Sequence, residues 1–205
     1  YLDVDANEFR IGTQRLRTPQ CVTSQLFLAD TLENGAGYAR RLFDGTRLKV
    51  LAEQHYEKVL AHWSGSRHAD CDRSCPDCLR NYGNRFIHGL LDWRLALDLA
   101  ELFIGAPLSL GRWLDESEST ARRFQKLCAS YEIDIEVHKA GTLWTVNGSG
   151  DLTLVIGHPL WHHRDAFLQD VQIDALDAIR ADNGQGRRVR FVDVRELGAN
   201  PQRYV

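Results

Sequence analysis

The sequence predicts an α+β chain in two modules: a mixed, cysteine-bearing first half, then a small α/β module of order α-β-β-β-α-β. Three observations carry this reading. Apolar residues keep a helical spacing through most of the first half and change to short alternating runs after about residue 132. Three cysteines, Cys71, Cys75 and Cys78, fall in one polar stretch. The segment Pro107–Gly111 separates the two rhythms, which divides the chain into modules 1–106 and 107–205.

In the first module, Leu26–Asp30 (LFLAD) reads as a short strand and Asn34-Gly35-Ala36-Gly37 as a turn. A helical pattern runs from Tyr38 to Trp63, with apolar residues at Leu42, Leu48, Leu51, Ala52, Val59 and Leu60. Gly45 interrupts it, a place for one helix to become two. Residues 64–84 are the least apolar stretch and hold the cysteines. Leu90–Phe103 is strongly helical and stops at Gly105 and Pro107.

The second module opens with a helix over Ser119–Tyr131. Strands follow at Ile133–His138, which alternates, at Thr142–Val146, and at Leu152–Ile156, which is apolar throughout. Asn147–Gly150 is the turn between the last two. A helix over Asp165–Ala181 and a final strand over Val189–Val194 complete the order.

Composition narrows the function classes. With 43% hydrophobic and 26% charged residues, the chain is ordinary for a globular protein. Its 205 residues suffice for a core without any staple, so a metal site is expected to act locally. No apolar run approaches the ~20 residues of a membrane span, and no leader pattern opens the chain. A cytoplasmic location is expected. The sequence begins at Tyr1 and contains no Met, which reads as a fragment of a longer protein. A net charge of −3 argues against a basic nucleic-acid coat and leaves local basic patches open.

The five cysteines are Cys21, Cys71, Cys75, Cys78 and Cys128. An odd count with three clustered is a poor disulfide framework and a good metal site for a reducing compartment. Cys75 and Cys78 form a C-x-x-C step whose sulfurs can meet one ion in a tight turn. Thiolates in a closed tetrahedral shell point to structural zinc, which makes the first half a zinc-stapled mixed domain. Free thiols and a redox pair are the rival readings; no strand precedes the motif, as a redox pair would want. The fourth ligand is open. His68 comes first, completing H-x-x-C-x-x-x-C-x-x-C; Cys21 and His88 are alternatives, and Asp70 or Asp72 suit a thiolate site less. Cys128 occupies an apolar helical position and reads as core.

These residues resemble a known family. Phe27–Tyr38 (FLADTLENGAGY) is similar to a D-T-x-x-x-G-A-G block. Cys71–Tyr82 (CDRSCPDCLRNY), with Asn84, His88 and Leu91–Ala96, is similar to a second block. Both belong to the zinc-binding cysteine-cluster domain at the C-terminus of large bacterial superfamily-two DEAD/DEAH-box helicases. That family includes Mrf-type DNA-repair helicases and phage-defence relatives. The resemblance covers about residues 20–104. Many relatives carry a fourth cysteine where this chain has Ala69, which leaves the fourth ligand to another residue. The resemblance implies an ATP-driven motor lying upstream. The chain itself has no G-x-x-x-x-G-K-[ST] loop and no D-E-A-D or D-E-A-H box.

Further features bear on partners. Arg73, Arg80 and Arg85 with Tyr82 surround the cysteine loop with cations and a ring, a composition suited to phosphates and unpaired bases. Arg94, Phe86 and Trp93 lie nearby, though core packing competes for the two rings. Arg40-Arg41 and Arg187-Arg188-Arg190 read as charged surface. Gly35-Ala36-Gly37 before a helix reads first as a tight turn and second as a phosphate cradle. His158, His162 and His163 end a strand and read as structural. The α-β-β-β-α-β order is also that of PD-(D/E)-x-K nucleases. Asp151 could serve as the acid, yet no E-x-K follows, and Glu136 is spaced one residue too far from Lys139. The function expected is therefore a non-catalytic accessory region of a DNA helicase or translocase, with protein partners possible. A metal-dependent nuclease and a pure protein-interaction module are the alternatives.

Overall fold

The computed structural model describes residues 8–19, 22–32, 35, 37–43, 46–148, 150–183 and 186–205. The chain divides into two compact units: Tyr1–Trp93 with Leu99–Ala106, and Arg94–Asp98 with Pro107–Val205. The fold class is the α+β mixture expected, with the α-β-β-β-α-β order in the second unit.

The first unit opens with a hairpin. Strands β1 (Phe9–Arg17) and β2 (Val22–Asp30) pair antiparallel, from Phe9 opposite Asp30 to Arg17 opposite Val22. Only the end of β2 was expected as strand. The reason is that neither face of the ribbon is buried: Ile11 is 78% exposed on one and Phe27 48% on the other. With no buried face, period-two alternation has nothing to record. Gly12 sits opposite Phe27, and a β-carbon there would lie 2.1 Å from Phe27 Cζ, so the ring lies across bare backbone.

Helices α1 (Tyr38–Leu42) and α2 (Arg47–Trp63) divide the expected long helix. Gly45, the expected breaker, lies outside the described residues. Two 3-10 turns, Ser66–His68 and Tyr82–Leu90, bracket the cysteines, and α3 (Trp93–Ile104) follows. Residues Leu99–Ala106 belong to this unit, and Tyr56 donates its hydroxyl to the buried carboxylate of Glu101.

Among the described residues of the first unit, the buried ones are Leu42, His68, Ser74, Asp92 and Glu101. One apolar side chain among them is no hydrophobic core, and burial of that extent cannot offset the entropy of ordering the chain. The expectation that the whole chain has core enough without a staple therefore fails for this unit.

The second unit has a conventional core. Helix α4 (Gly111–Ser130) leads into strands β3 (Ile135–Ala140), β4 (Leu143–Gly148) and β5 (Leu152–Gly157), then α5 (Asp170–Asn183), β6 (Arg188–Asp193) and α6 (Val194–Ala199). The sheet order is β3-β4-β5-β6, antiparallel except for β5 with β6. On one face, Trp113, Phe124, Cys128 and Leu197 pack on Ile135, Val146, Leu154, Ile156 and Val192. On the other, Ala175 and Ile179 pack on Leu143, Val155 and Phe191. The result is a three-layer α/β/α sandwich.

Two boundaries differ from expectation. Helix α4 starts at Gly111 rather than Ser119, because the buried stripe of Phe124 and Cys128 continues back through Thr120, Ser117 and Trp113. The acidic D-E-S-E-S run hides that stripe in the sequence. The chain also does not end on a strand: Asp193 Oδ1 accepts the Glu196 N–H at 2.8 Å and starts α6. An Asp followed three residues later by Glu is a helix-start signal.

Asp98 joins Arg94–Asp98 to this core. It is fully buried, accepting Arg112 Nη2 at 2.6 Å and Trp113 Nε1 at 2.8 Å. His158 Nε2, equally buried, faces its Oδ2 at 3.0 Å. His158 Nδ1 accepts the Leu160 N–H at 3.1 Å, which leaves the ring proton on Nε2, toward the carboxylate. Burial by itself would raise the Asp98 pKa; His158, Arg112 and Trp113 more than reverse this and hold it below the usual carboxylate range. A depressed folded pKa stabilises the fold above the unfolded value of about 3.9, and that contribution is lost as pH falls through the folded value. Replacing Asp98→Ala removes the buried carboxylate that accepts from Arg112 and Trp113 and faces His158, and should lower the urea-unfolding free energy of the chain by about 3–5 kcal/mol. A loss under about 1 kcal/mol would remove Asp98 from the account of this core.

Candidate metal centre and its surroundings

Local backbone bonding shapes the cysteine segment. The amides of Cys78, Leu79 and Arg80 all donate to the Cys75 carbonyl, at 3.1, 3.2 and 3.0 Å. This tight knuckle brings Cys78 Sγ to 3.7 Å from Cys75 Sγ, and the Cys75 N–H donates to Cys78 Sγ at 3.1 Å. Cys71 Sγ lies 4.0 Å from Cys78 Sγ. A tetrahedron with Zn–S bonds of about 2.3 Å has edges of about 3.8 Å, so the sulfurs stand at the spacing one zinc ion requires.

His68 completes the group. One ligand atom from each of His68, Cys71, Cys75 and Cys78 falls within 4.8 Å of the others. His68 Nδ1 donates to the Trp63 carbonyl at 2.8 Å, the partner that fixes a ligating imidazole's tautomer. Nε2 is then left with its lone pair, buried and without a hydrogen-bond partner. A buried acceptor with no partner is costly, and a cation at the sulfur cluster removes that cost. The ring is held by Trp63, stacked at 6.5 Å, and by the edge of Trp93 at 5.3 Å. Trp93 also clamps the cysteine strand, donating Nε1–H to the Cys71 carbonyl at 3.2 Å and its backbone N–H to the Arg73 carbonyl at 2.8 Å.

The thiols divide electrostatically. Burial, then the neighbouring Cys75 and Cys78 sulfurs, push Cys71 up to about 12. Burial opposes ionisation of Cys75 too, but hydrogen bonds from the Asp77 backbone, Cys71 and Cys78 bring it below the ordinary thiol value. Three thiols this close share one another's charge unless a cation neutralises it.

The other ligand candidates lie elsewhere. His88 Nε2 contacts Asn81 O at 3.1 Å and Asn84 Oδ1 at 2.9 Å. Asp70 and Asp72 are exposed, and Cys128 is buried in the core of the second unit. Cys21 lies outside the described residues.

The knuckle is tied to the 3-10 segment Tyr82–Leu90. Asn81 and Asn84 cap one another reciprocally, at 2.9 and 3.1 Å, and Asn84 Nδ2 donates to the Leu79 carbonyl at 2.7 Å. Arg80 Nε donates to the buried Ser74 Oγ at 2.9 Å. The segment then turns its rings outward: Tyr82 is 82% exposed and Phe86 81%, so Phe86 is not core. The Arg85 guanidinium lies 4.4 Å over the Tyr82 ring. Arg73 is half-buried beside the cysteines. Arg94 belongs to the second unit, 5.7 Å over the Trp113 ring.

The glycine motif proves structural. Asp30 Oδ1 accepts the Ala39 N–H at 2.7 Å, so the start of α1 is already occupied by a carboxylate of the chain. A β-carbon at Gly35 would meet Asp30 Cβ at 2.7 Å, and Gly37 has φ 71°. Both glycines serve the Asp30 contact and the turn; Ala36 lies outside the described residues.

The second unit gathers no comparable group. Among the described residues, the His68–Cys78 set is the one cluster of three or more His, Cys, Asp or Glu placed to hold an ion. Asp151 is exposed and paired with Arg188, whose Nε and Nη2 reach its two oxygens at 3.0 Å; that pairing holds its carboxyl below the usual range. His158 serves Asp98, and the His162 ring lies 5.3 Å from Phe167. No helix among the described residues is long and apolar enough to cross a membrane.

Sulfurs at zinc spacing beside an oriented imidazole define a zinc-binding module, and comparison with known proteins agrees. Residues 1–79 match the family described as the MrfA Zn-binding domain. The match extends back over β1 and takes in the cysteines at 71, 75 and 78. The chain is also 36% identical over 100 residues, 48% of its length, to the Druantia protein DruE of Escherichia coli (strain UMEA 4076-1). That stretch is 5% of the relative's own length. No solved structure matches.

The Asp30–Ala39 contact gives a direct test. Asp30→Ala should cost about 1 kcal/mol and speed amide exchange at Ala39, as loss of a helix cap does. An unchanged exchange rate at Ala39 would show that Asp30 does not hold α1.

Proposed function

We propose that this chain is a non-catalytic accessory region of a nucleic-acid helicase or translocase. In this reading a structural zinc ion on His68, Cys71, Cys75 and Cys78 keeps the Tyr82–Leu90 segment in place to contact DNA. Residues 1–106 form the zinc-stapled domain and residues 107–205 an α/β module beside it. The motor domains lie elsewhere in a longer cytoplasmic protein. The observation that carries the reading is His68: its Nδ1 is engaged, and its buried Nε2 has no other partner among the sulfurs.

Four protein ligands leave zinc no open position, so its role is to hold shape rather than activate water. Its charge offsets the thiolates, and its bonds stand in for the apolar core that the described residues of the first unit lack. The surface it supports has the chemistry of a nucleic-acid contact. Tyr82, with Arg85 over one face, offers a ring for base stacking, and Arg73 and Arg80 offer guanidinium groups for phosphates. Similarity to a MrfA-type domain supports the helicase setting.

Two experiments test this. In Cys78→Ser the protein should lose its zinc, seen by elemental analysis, and the 3-10 segment should become protease-sensitive, because metal binding there is folding free energy. His68→Ala should weaken zinc binding at least about tenfold; full zinc content with unchanged affinity would remove His68 from the site.

For DNA, Tyr82→Ala should weaken binding of a labelled single-stranded oligonucleotide by about 1–3 kcal/mol while leaving zinc content intact. Failure of both single- and double-stranded DNA to bind at low salt would overturn the DNA reading in favour of a protein-interaction module. Plasmid cleavage with Mg²⁺ or Mn²⁺ that Asp151→Ala abolishes would overturn the non-catalytic reading.

A further inference from the structure

We propose that the β1–β2 hairpin is a second nucleic-acid contact, a basic ribbon that lies in a groove of duplex DNA and holds its phosphates through Arg10, Arg15 and Arg17. The class of partner rests on the nucleic-acid reading above; the contact itself is carried by a separate set of residues.

The ribbon's charge is one-sided. Between Glu8 and Asp30 the chain has three arginines and no lysine, aspartate or glutamate, so this segment carries +3. The whole chain carries −3, which leaves −6 for all the other residues. A cationic segment on a chain that is acidic in total marks a local contact for an anion. Arg10, Arg15 and Arg17 are all exposed, and among the described residues none of them meets a carboxylate. Asp30, at the end of the ribbon, is already engaged by the Ala39 N–H.

Register distributes these groups over both faces. Residues directly opposite one another share a face. Arg15 with Ser24 and Arg17 with Val22 therefore lie on one face, and Arg10 with Ala29 and Gln14 with Gln25 on the other. Arg15 and Arg17 stand about 6.8 Å apart along the strand, and Arg10 about 17 Å before Arg15. Each DNA strand offers one phosphate per ~3.4 Å of axis, so a ribbon running along a groove meets phosphates at every arginine. Between the arginines are uncharged polar side chains, Thr13, Gln14, Thr23, Ser24 and Gln25, whose hydroxyls and amides suit sugars and base edges.

Charge also decides between occupants. An isolated two-stranded hairpin is marginal in water, so this one calls for something against it. A second copy of the chain would set +3 against +3. Unpaired bases need rings, and the ribbon's two are not free platforms: Phe9 is half-buried and Phe27 lies across Gly12. The major groove of B-DNA, about 12 Å wide, admits a two-stranded ribbon and is walled by phosphates.

The test titrates the full 205-residue chain by fluorescence anisotropy against a labelled duplex of about two helical turns and a labelled oligothymidylate. The duplex should bind at low salt. Arg15→Gln with Arg17→Gln should weaken it at least about tenfold and flatten the slope of log K against log salt by about 1.8, as loss of two phosphate contacts requires. Arg10→Gln should flatten it by about 0.9 more. Arg15→Lys with Arg17→Lys keeps the charge and should keep the slope, which separates lost charge from a damaged ribbon. Oligothymidylate binding and zinc content should stay the same in every variant. A duplex that fails to bind while oligothymidylate binds would remove the ribbon contact and leave the Tyr82 reading standing; failure of both would remove both. Unchanged duplex affinity and slope in the glutamine variant would overturn the assignment, as would an equal loss for oligothymidylate. Displacement of the duplex by polyglutamate as readily as by unlabelled duplex would give the ribbon to an acidic protein instead.

Discussion

Convergence of one imidazole and three sulfurs, their ligand atoms all within 4.8 Å, is the constraint on which the first unit depends. The second unit holds itself together by apolar burial on both faces of a sheet. The first buries a single apolar side chain, Leu42, among its described buried residues, and the other four are polar or ionisable. Its hairpin is exposed and α2 buries no residue at all. Where hydrophobic burial is absent, a few strong directional bonds have to supply the cohesion, and thiolate–zinc bonds are of that kind.

The cluster's shape passes outward through hydrogen bonds. Cys75 anchors three amides, Leu79 anchors Asn84, and Asn84 and Asn81 start the segment that exposes Tyr82 and Phe86. Each step is a short backbone or amide contact, so the backbone that carries the exposed rings is tied to the cysteine knuckle. His68 is fixed from behind by Trp63 and Trp93, and Trp93 grips the Cys71 strand as well. Two tryptophans thus work as the outer shell of a polar site, which explains their place in a unit with so little other apolar packing.

The second unit uses its polar residues differently. Asp98, His158, Arg112 and Trp113 form a buried set in which each charge faces another. The three histidines that follow β5, His158, His162 and His163, are divided between this network and the surface. Asp151 is likewise spent on Arg188. The unit has the α-β-β-β-α-β order, and its described residues gather no cluster of three or more His, Cys, Asp or Glu.

Much of this was legible without coordinates, for physical reasons that differ by element. The C-x-x-C step and the cysteine three residues past His68 are short-range patterns, and a tight turn converts such spacing directly into sulfur positions. The strands of the second unit announced themselves because each has a buried face. Strand β1, with both faces exposed, left no periodic trace. The first turns of α4 were hidden by an acidic surface stripe, and α6 by the apolar run of the strand before it. The sequence by itself determined the zinc-binding character, the cluster of three cysteines and the α/β order. Only the tertiary structure decided that the Trp63 carbonyl engages His68 Nδ1 beside the sulfurs and that Asp30 occupies the start of α1. Those outcomes depend on how the turns aim a side chain at a backbone group five or nine residues away, and residue spacing carries no record of that.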